Sequence, residues 1–134
     1  MIIKKYDFDS NNLIAKIGFL LGSDEWQTEH NQALRRQKGK VFYLLIDEDA
    51  LISMCSVYRN QILDCHTLKP YRNKGYILKL LKYVLKDNSN KQLHSGTANE
   101  CMEKVFISLG MKYKLNRGKY RYYYTNGGNY YEKI

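Results

Sequence analysis

A single proline divides this 134-residue chain. Pro70 closes a run of β-type sequence and stands five residues before Gly75, after which apolar residues recur at helical spacing. Proline cannot donate to a sheet ladder, and the residue before it is biased toward extended backbone. The chain must therefore cross from strand to helix through one short loop, Lys69 to Gly75, and the other elements must be arranged around that crossing.

Upstream, Ile2, Ile3, Tyr6 and Phe8 read as a first strand. Ser10 is an N-cap for a helix carrying Leu13, Ile14, Ile17, Leu20 and Leu21 as far as Gly22. Ser23 caps a second helix, with Asp24 and Glu25 in the first turn where the helix dipole favours acid, and Gly39 is its expected end. Its apolar face is thin: Trp26, Ala33 and Leu34. Val41–Asp47, Ala50–Tyr58 and Gln61–Lys69 are predicted strands of an antiparallel meander, turned at Asp47-Glu48-Asp49 and Arg59-Asn60.

Downstream, Ile77, Leu80, Leu81, Val84 and Leu85 mark one face of a third helix. Lys91–Ser95 is a predicted short strand. Asn99 opens a fourth helix with Met102, Val105, Phe106 and Leu109 on one face, and Gly110 stops it. Met111–Leu115 and Lys119–Thr125 then form a hairpin, with Asn126-Gly127-Gly128 permitting another reversal. The order is β-α-α-β-β-β-α-β-α-β-β. A strand–helix–strand crossover is right-handed and makes its two strands parallel. The predicted fold is thus mixed α/β (α+β): a central, mostly antiparallel sheet with one parallel pair and helices on both faces. No repeat or linker interrupts it, so residues 1–134 read as one domain.

Composition supports a globular chain, with 44% apolar and 26% charged residues. The 22 Lys+Arg against 13 Asp+Glu give a net +9, which favours partners carrying negative charge. Seven basic residues and one acid lie between Lys69 and Lys91, so the crossing loop and its helix hold much of that excess. No run reaches the roughly twenty apolar residues of a membrane span, and the first residues lack the apolar core of a secretory signal. Cys55, Cys65 and Cys101 lack C-x-x-C spacing and suit reduced thiols. A cytoplasmic protein without membrane or metal is expected.

Unpaired N–H groups and the dipole at the start of the third helix suit a phosphate group, and Gly75 lets the backbone approach it. Neither G-x-x-x-x-G-K-[ST] nor G-x-G-x-x-G is present. Arg72-Asn-Lys-Gly75-Tyr-Ile77 instead resembles the acyl-CoA loop, [RQ]-x-x-G-x-[GA], of the GNAT superfamily of N-acetyltransferases. The Leu68-Lys-Pro-Tyr lead-in, the amphipathic helix behind the loop and Asn99-x-x-Met-x-x-Val-Phe-Ile-Ser-Leu-Gly110-Met111 are also similar to that family.

The resemblance implies a GNAT-like fold in which the parallel strands splay apart around the pantetheine arm of acetyl-CoA or another acyl-CoA. It implies that the backbone at Thr67 and Leu68 pairs with the arm. Amides of Arg72, Asn73, Lys74, Gly75, Tyr76 and Ile77 would hold the pyrophosphate, and Asn99 would contact the arm. The implied activity is N-acyl transfer to an amine, whether small-molecule, protein-borne or RNA-linked, by direct attack on the thioester.

Three positions depart from the family pattern. Ile77 is bulky for the last loop position; Phe106 replaces a tyrosine that protonates the leaving thiolate in many members; and Gln61 aligns with a glutamate base of some members. These departures frame the alternative, a catalytically lapsed GNAT-like module binding nucleic acid or a protein. Of the histidines, His94 on the second splayed strand is the candidate base. His66 reads as a solvated or hydrogen-bonded strand residue, and His30 as exposed. Cys65 reads as a space-filling thiol.

Thirteen tyrosines are present, six of them in the last fifteen residues and interleaved with Arg117, Lys119 and Arg121. Such interleaving can stack bases. The reading preferred here is that Tyr120, Tyr122 and Tyr124 alternate onto one packing face, in the core or between two copies of the chain.

Overall fold

Two-residue turns set the meander. Glu48 and Asp49 have φ of 47° and 69°, and Arg59 and Asn60 have φ of 50° and 63°. Positive φ at both central residues matches the twist of antiparallel strands and holds their register. In the computed structural model, which describes residues 1–126, the order of elements is as predicted. Gly127, Gly128, Tyr130 and Tyr131 lie outside the described residues.

The strands are β1 (Ile2–Asp7), β2 (Val41–Asp47), β3 (Ala50–Tyr58), β4 (Gln61–Thr67), β5 (His94–Thr97), β6 (Lys112–Arg117) and β7 (Tyr120–Tyr124). The helices are α1 (Asn11–Ile17), α2 (Asp24–His30), α3 (Tyr76–Asp87) and α4 (Glu100–Ser108), with 3-10 turns at Gly18–Leu20 and Lys69–Tyr71. One sheet runs β1-β2-β3-β4-β5-β7-β6. Every neighbouring pair is antiparallel except β4 and β5.

Alternation along the strands feeds two cores. On one face Tyr43, Leu45, Ile52, Cys55, Val57 and Ile62 meet α3 and α4 through Leu81, Val84 and Phe106. On the other, Phe42, Leu44, Ile46 and Met54 meet Leu13, Ile17 and Trp26 from α1 and α2. Helices thus cover both faces, as predicted. No helix among the described residues is long and apolar enough to cross a membrane.

Three sequence expectations need correction. The second helix stops at His30, where Asn31 takes a left-handed conformation (φ 59°), and does not continue to Gly39. Its thin apolar stripe is the reason: beyond Trp26 only Leu34 has core to enter, and a short helix needs tertiary packing to persist. β5 begins at His94 rather than Lys91, because Leu93 is held by Thr125, whose Oγ1 accepts the Leu93 N–H at 2.9 Å. In β7 the buried tyrosine is Tyr123, against Phe106, so the alternation of Tyr120, Tyr122 and Tyr124 marks the opposite face.

Two polar ties join distant segments. Lys40 Nζ meets Asp64 at 2.6 Å with both side chains almost fully buried; it also donates to the Arg35 carbonyl, and Ser56 Oγ donates to Asp64. This clamps the irregular stretch after α2 onto the sheet. Asp87, at the end of α3, accepts from Tyr43 Oη at 2.6 Å and Lys5 Nζ at 2.9 Å. The Tyr43 hydrogen bond, then Lys5, lowers the Asp87 carboxyl below its ordinary 3.8.

A carboxylate with a lowered folded pKa adds stability above its unfolded value and loses it as pH falls through the folded one. Asp87→Asn should therefore cost about 1–2 kcal/mol at pH 7. Relative to wild type, that cost should shrink as the pH drops below about 4. Urea denaturation at several pH values checks this; a cost that does not vary with pH would show that the charge contributes nothing.

Candidate active site between the parallel strands

β4 and β5 are joined only at one end. Gln61 registers with His94, the His94 N–H donates to the Asn60 carbonyl at 2.9 Å, and Ser95 Oγ donates to the Ile62 carbonyl at 2.7 Å. Beyond Ile62 the two strands share no ladder pair. β4 stays paired with β3 as far as Thr67, and β5 with β7 as far as Thr97. Near the parting, Asp64 has φ 56° and the β3–β4 register shifts, which marks a bulge. The sheet is therefore continuous at one end of this pair and open at the other.

The open end leads into the crossing loop. The Leu68 N–H returns to Ile52, and the Tyr71 N–H to Leu68, so both backbone groups of Leu68 are used internally. Asn73 (φ 64°) and Gly75 (φ 80°) then turn left-handed, and Gly75 caps α3. The first α3 bond runs from the Lys79 N–H to the Gly75 carbonyl. Among the described residues, none accepts the backbone N–H groups from Gly75 to Leu78. Successive free N–H groups at a helix start form a concave donor surface for an anion.

The loop's cations divide between two tasks. Lys74 is exposed and carries no ion pair among the described residues, so it is available to a phosphate. Arg72 is engaged elsewhere: Nε donates to the Thr67 carbonyl at 2.7 Å, and the guanidinium grips both Glu29 carboxylate oxygens at 2.9 and 3.2 Å. This pairing is the main reason that the Glu29 carboxyl is held below its usual range. Lys69 pairs with Glu25 at 2.8 Å.

The remaining candidates fall in different places. Tyr76 packs with Tyr71, and Ile77 is partly buried against the α3-side core. Asn99 caps α4, its Oδ1 accepting from the N–H groups of Cys101 and Met102. Phe106 is buried in the core. Gln61 is exposed at the outer start of β4, by the turn, and not at the opening. His94 sits beside it at the joined end of the pair, half-buried, its imidazole pushed down by burial and then by Lys114. Cys65 packs against the α3-side core, and burial raises its thiol to about 12, so it stays a thiol.

On the α2 face the structure gathers residues that no sequence spacing linked. His66 is buried, not solvated, and its Nδ1 lies 2.9 Å from His30 Nε2. His30, expected to be exposed, is stacked on Trp26 with ring centroids 4.0 Å apart. Burial, the largest cause, lowers both imidazoles, His66 to about 4. The Trp26 indole N–H is buried without a hydrogen-bond partner among the described residues. A cleft of about 320 Å³ opens here, lined by Phe19, Trp26, His66, Leu68 and Pro70, with Glu25 and Lys69 at its edge.

Known proteins share this architecture. BjaI, a CoA-dependent acyl-homoserine lactone synthase solved with SAM and isopentyl-CoA, matches 92% of this chain and 81% of its own at 10% identity, TM-score 0.68. Aminoglycoside 6'-acetyltransferase type Ii matches 93% and 96% at 15% identity, TM-score 0.62. An acetyltransferase of the GNAT family from Staphylococcus aureus Mu50 matches 92% and 98% at 17% identity, TM-score 0.56. No protein-family model matches the chain, and no curated protein does. The chain has the GNAT fold.

Gly96 lies on β5 where that strand leaves β4. A Cβ built there would stand 2.5 Å from the ring of Tyr122, its cross-strand partner. Gly96→Ala should cost about 1–3 kcal/mol through overpacking. The cost should fall by more than half in a Tyr122→Ala background. A double-mutant cycle by chemical denaturation reads this coupling, and additive effects would mean that the ring moves aside freely.

Proposed function

We propose that this chain is an acyl-CoA-dependent N-acyltransferase, with acetyl as the transferred group. The observation that carries the reading is the row of N–H groups from Gly75 to Leu78, unpaired among the described residues, beyond the end of a strand that parts from its parallel neighbour. That row suits a pyrophosphate, with Lys74 adding charge beside it. The gap between β4 and β5 suits an extended pantetheine arm, and the Thr67 N–H is the nearest backbone donor from β4. The structural likeness to CoA-dependent and acetyl-transferring enzymes supports the same reading.

In this reading the chain's part in the chemistry is positioning. The loop fixes the nucleotide end, the gap aligns the thioester, and the acceptor amine enters from the cleft beside α2. Nitrogen attack forms the C–N bond and breaks the C–S bond, with the amine proton passing to solvent or to a base. Holding the partners in register accounts for much of the acceleration such enzymes need. Phe106 has no proton to give, so the departing thiolate is protonated by water.

Acetyl-CoA affinity measured by calorimetry tests the loop. Gly75→Asp should weaken binding at least tenfold, about 1.4 kcal/mol. Gly75→Asn, which tolerates positive φ equally but adds no charge, should weaken it less. Equal affinity in wild type and a folded Gly75→Asp variant would remove the pyrophosphate from this loop. Release of free thiol from acetyl-CoA in the presence of primary amines tests the transfer itself.

A further inference from the structure

We propose that Glu29, His30 and His66 form a binding site for one divalent transition-metal ion of the Zn²⁺ type, fastening α2 to β4. The inference rests on these three side chains and not on the acyltransferase reading.

One ligand atom from each of the three residues lies within 4.8 Å of the others. His30 Nε2 and His66 Nδ1 are 2.9 Å apart, and His66 Nδ1 is 3.6 Å from Glu29 Oε2. A tetrahedral ion about 2.0–2.1 Å from each nitrogen would set its ligands about 3.3 Å apart. The two distances to His66 Nδ1 need to change by only a few tenths of an ångström, and the His30 and Glu29 donors, within 4.8 Å of each other, must draw closer. Two imidazoles and one carboxylate are a borderline donor set, which favours Zn²⁺, Co²⁺ or Ni²⁺ over Mg²⁺ or Ca²⁺. Three protein ligands leave the fourth position of a tetrahedral ion open, and His66 also lines the neighbouring cleft.

The protonation states are compatible. A ring-to-ring hydrogen bond needs one nitrogen to donate and the other to be bare, so at least one imidazole is already neutral. Where the donating ring is neutral too, coordination moves its proton to the far nitrogen of the same ring and releases none; a cationic donor ring would release one proton to solvent. Arg72 contacts both Glu29 oxygens. It can keep Oε1 while Oε2 turns to the ion, as a hydrogen-bonded partner that orients a metal-bound carboxylate. His30 stacks on Trp26, the chain's single tryptophan, so that residue reports directly on the site.

The test uses the full chain, without a polyhistidine tag, stripped with chelator and titrated with Zn²⁺ and with Co²⁺. One equivalent of Zn²⁺ should bind at micromolar affinity or tighter. Co²⁺ should give the visible bands of a four-coordinate site and quench Trp26 fluorescence. His30→Ala and His66→Ala should each weaken binding roughly a hundredfold or more, while His94→Ala should leave it unchanged. Should His66→Ala fail to fold, His30→Ala and Glu29→Gln, at the edge of the cluster, carry the test. Zn²⁺ binding weaker than millimolar, or binding of unchanged strength in both edge variants, would overturn the proposal. Acetyl-CoA affinity measured on the same samples separates this outcome from failure of the acyltransferase reading.

Discussion

The parting of β4 from β5 governs the rest of the molecule. Two parallel strands that stayed paired would present no polar backbone between them, and the crossing loop would end against a closed sheet. Here the pair is pinned at one end by the His94 N–H and by Ser95 Oγ, and released beyond Ile62. Each strand keeps its other neighbour, β3 or β7, so the gap does not cost the sheet its coherence. The bulge at Asp64 lies just where the release begins. Its carboxylate is held by Lys40 and Ser56, so the feature that disturbs the strand also anchors the segment after α2.

Charge is arranged around that gap in two registers. Near the free amides of the loop, Lys74 remains open to an anion. On the α2 side, Arg72 and Lys69 are matched by Glu29 and Glu25, and the large positive excess of the sequence is locally neutralised. A basic loop is therefore not uniformly basic in three dimensions. The acids that balance it come from a helix more than forty positions earlier, and that pairing defines one wall of the cleft.

Much of the fold was legible in the sequence, because it rests on local signals. Ser10, Ser23 and Asn99 cap their helices as their side chains suggest, and the β2 and β3 boundaries follow from β-branched runs and acidic turns. Gly75 was recognisable as the residue that opens α3, and its left-handed φ of 80° is what brings the backbone round there. What was not legible depends on tertiary competition. The end of α2 is decided by how little core waits beyond Trp26. The buried face of β7 is decided by Phe106 reaching Tyr123 rather than by alternation alone. The gathering of Glu29, His30 and His66 spans 38 residues and two elements, with no spacing rule to announce it. His66 faces opposite to Cys65, as strand alternation dictates, yet only the position of α2 makes that face polar and buried.

The strand order carries a consequence for how the chain assembles. β7 lies between β5 and β6, although it is the last of the three to be synthesised. β5 is four residues long, meets β4 at a single registered pair, and takes its continuous ladder from β7. The half of the sheet beyond the gap therefore has no lasting partner until Tyr120–Tyr124 has emerged, and Thr125 then fastens the approach to β5 through Leu93. The meander, with its two tight turns and local pairings, can form early on the ribosome, whereas long-range insertion of a closing strand is a slow step. The second wall of the gap thus depends on the last described strand in the chain.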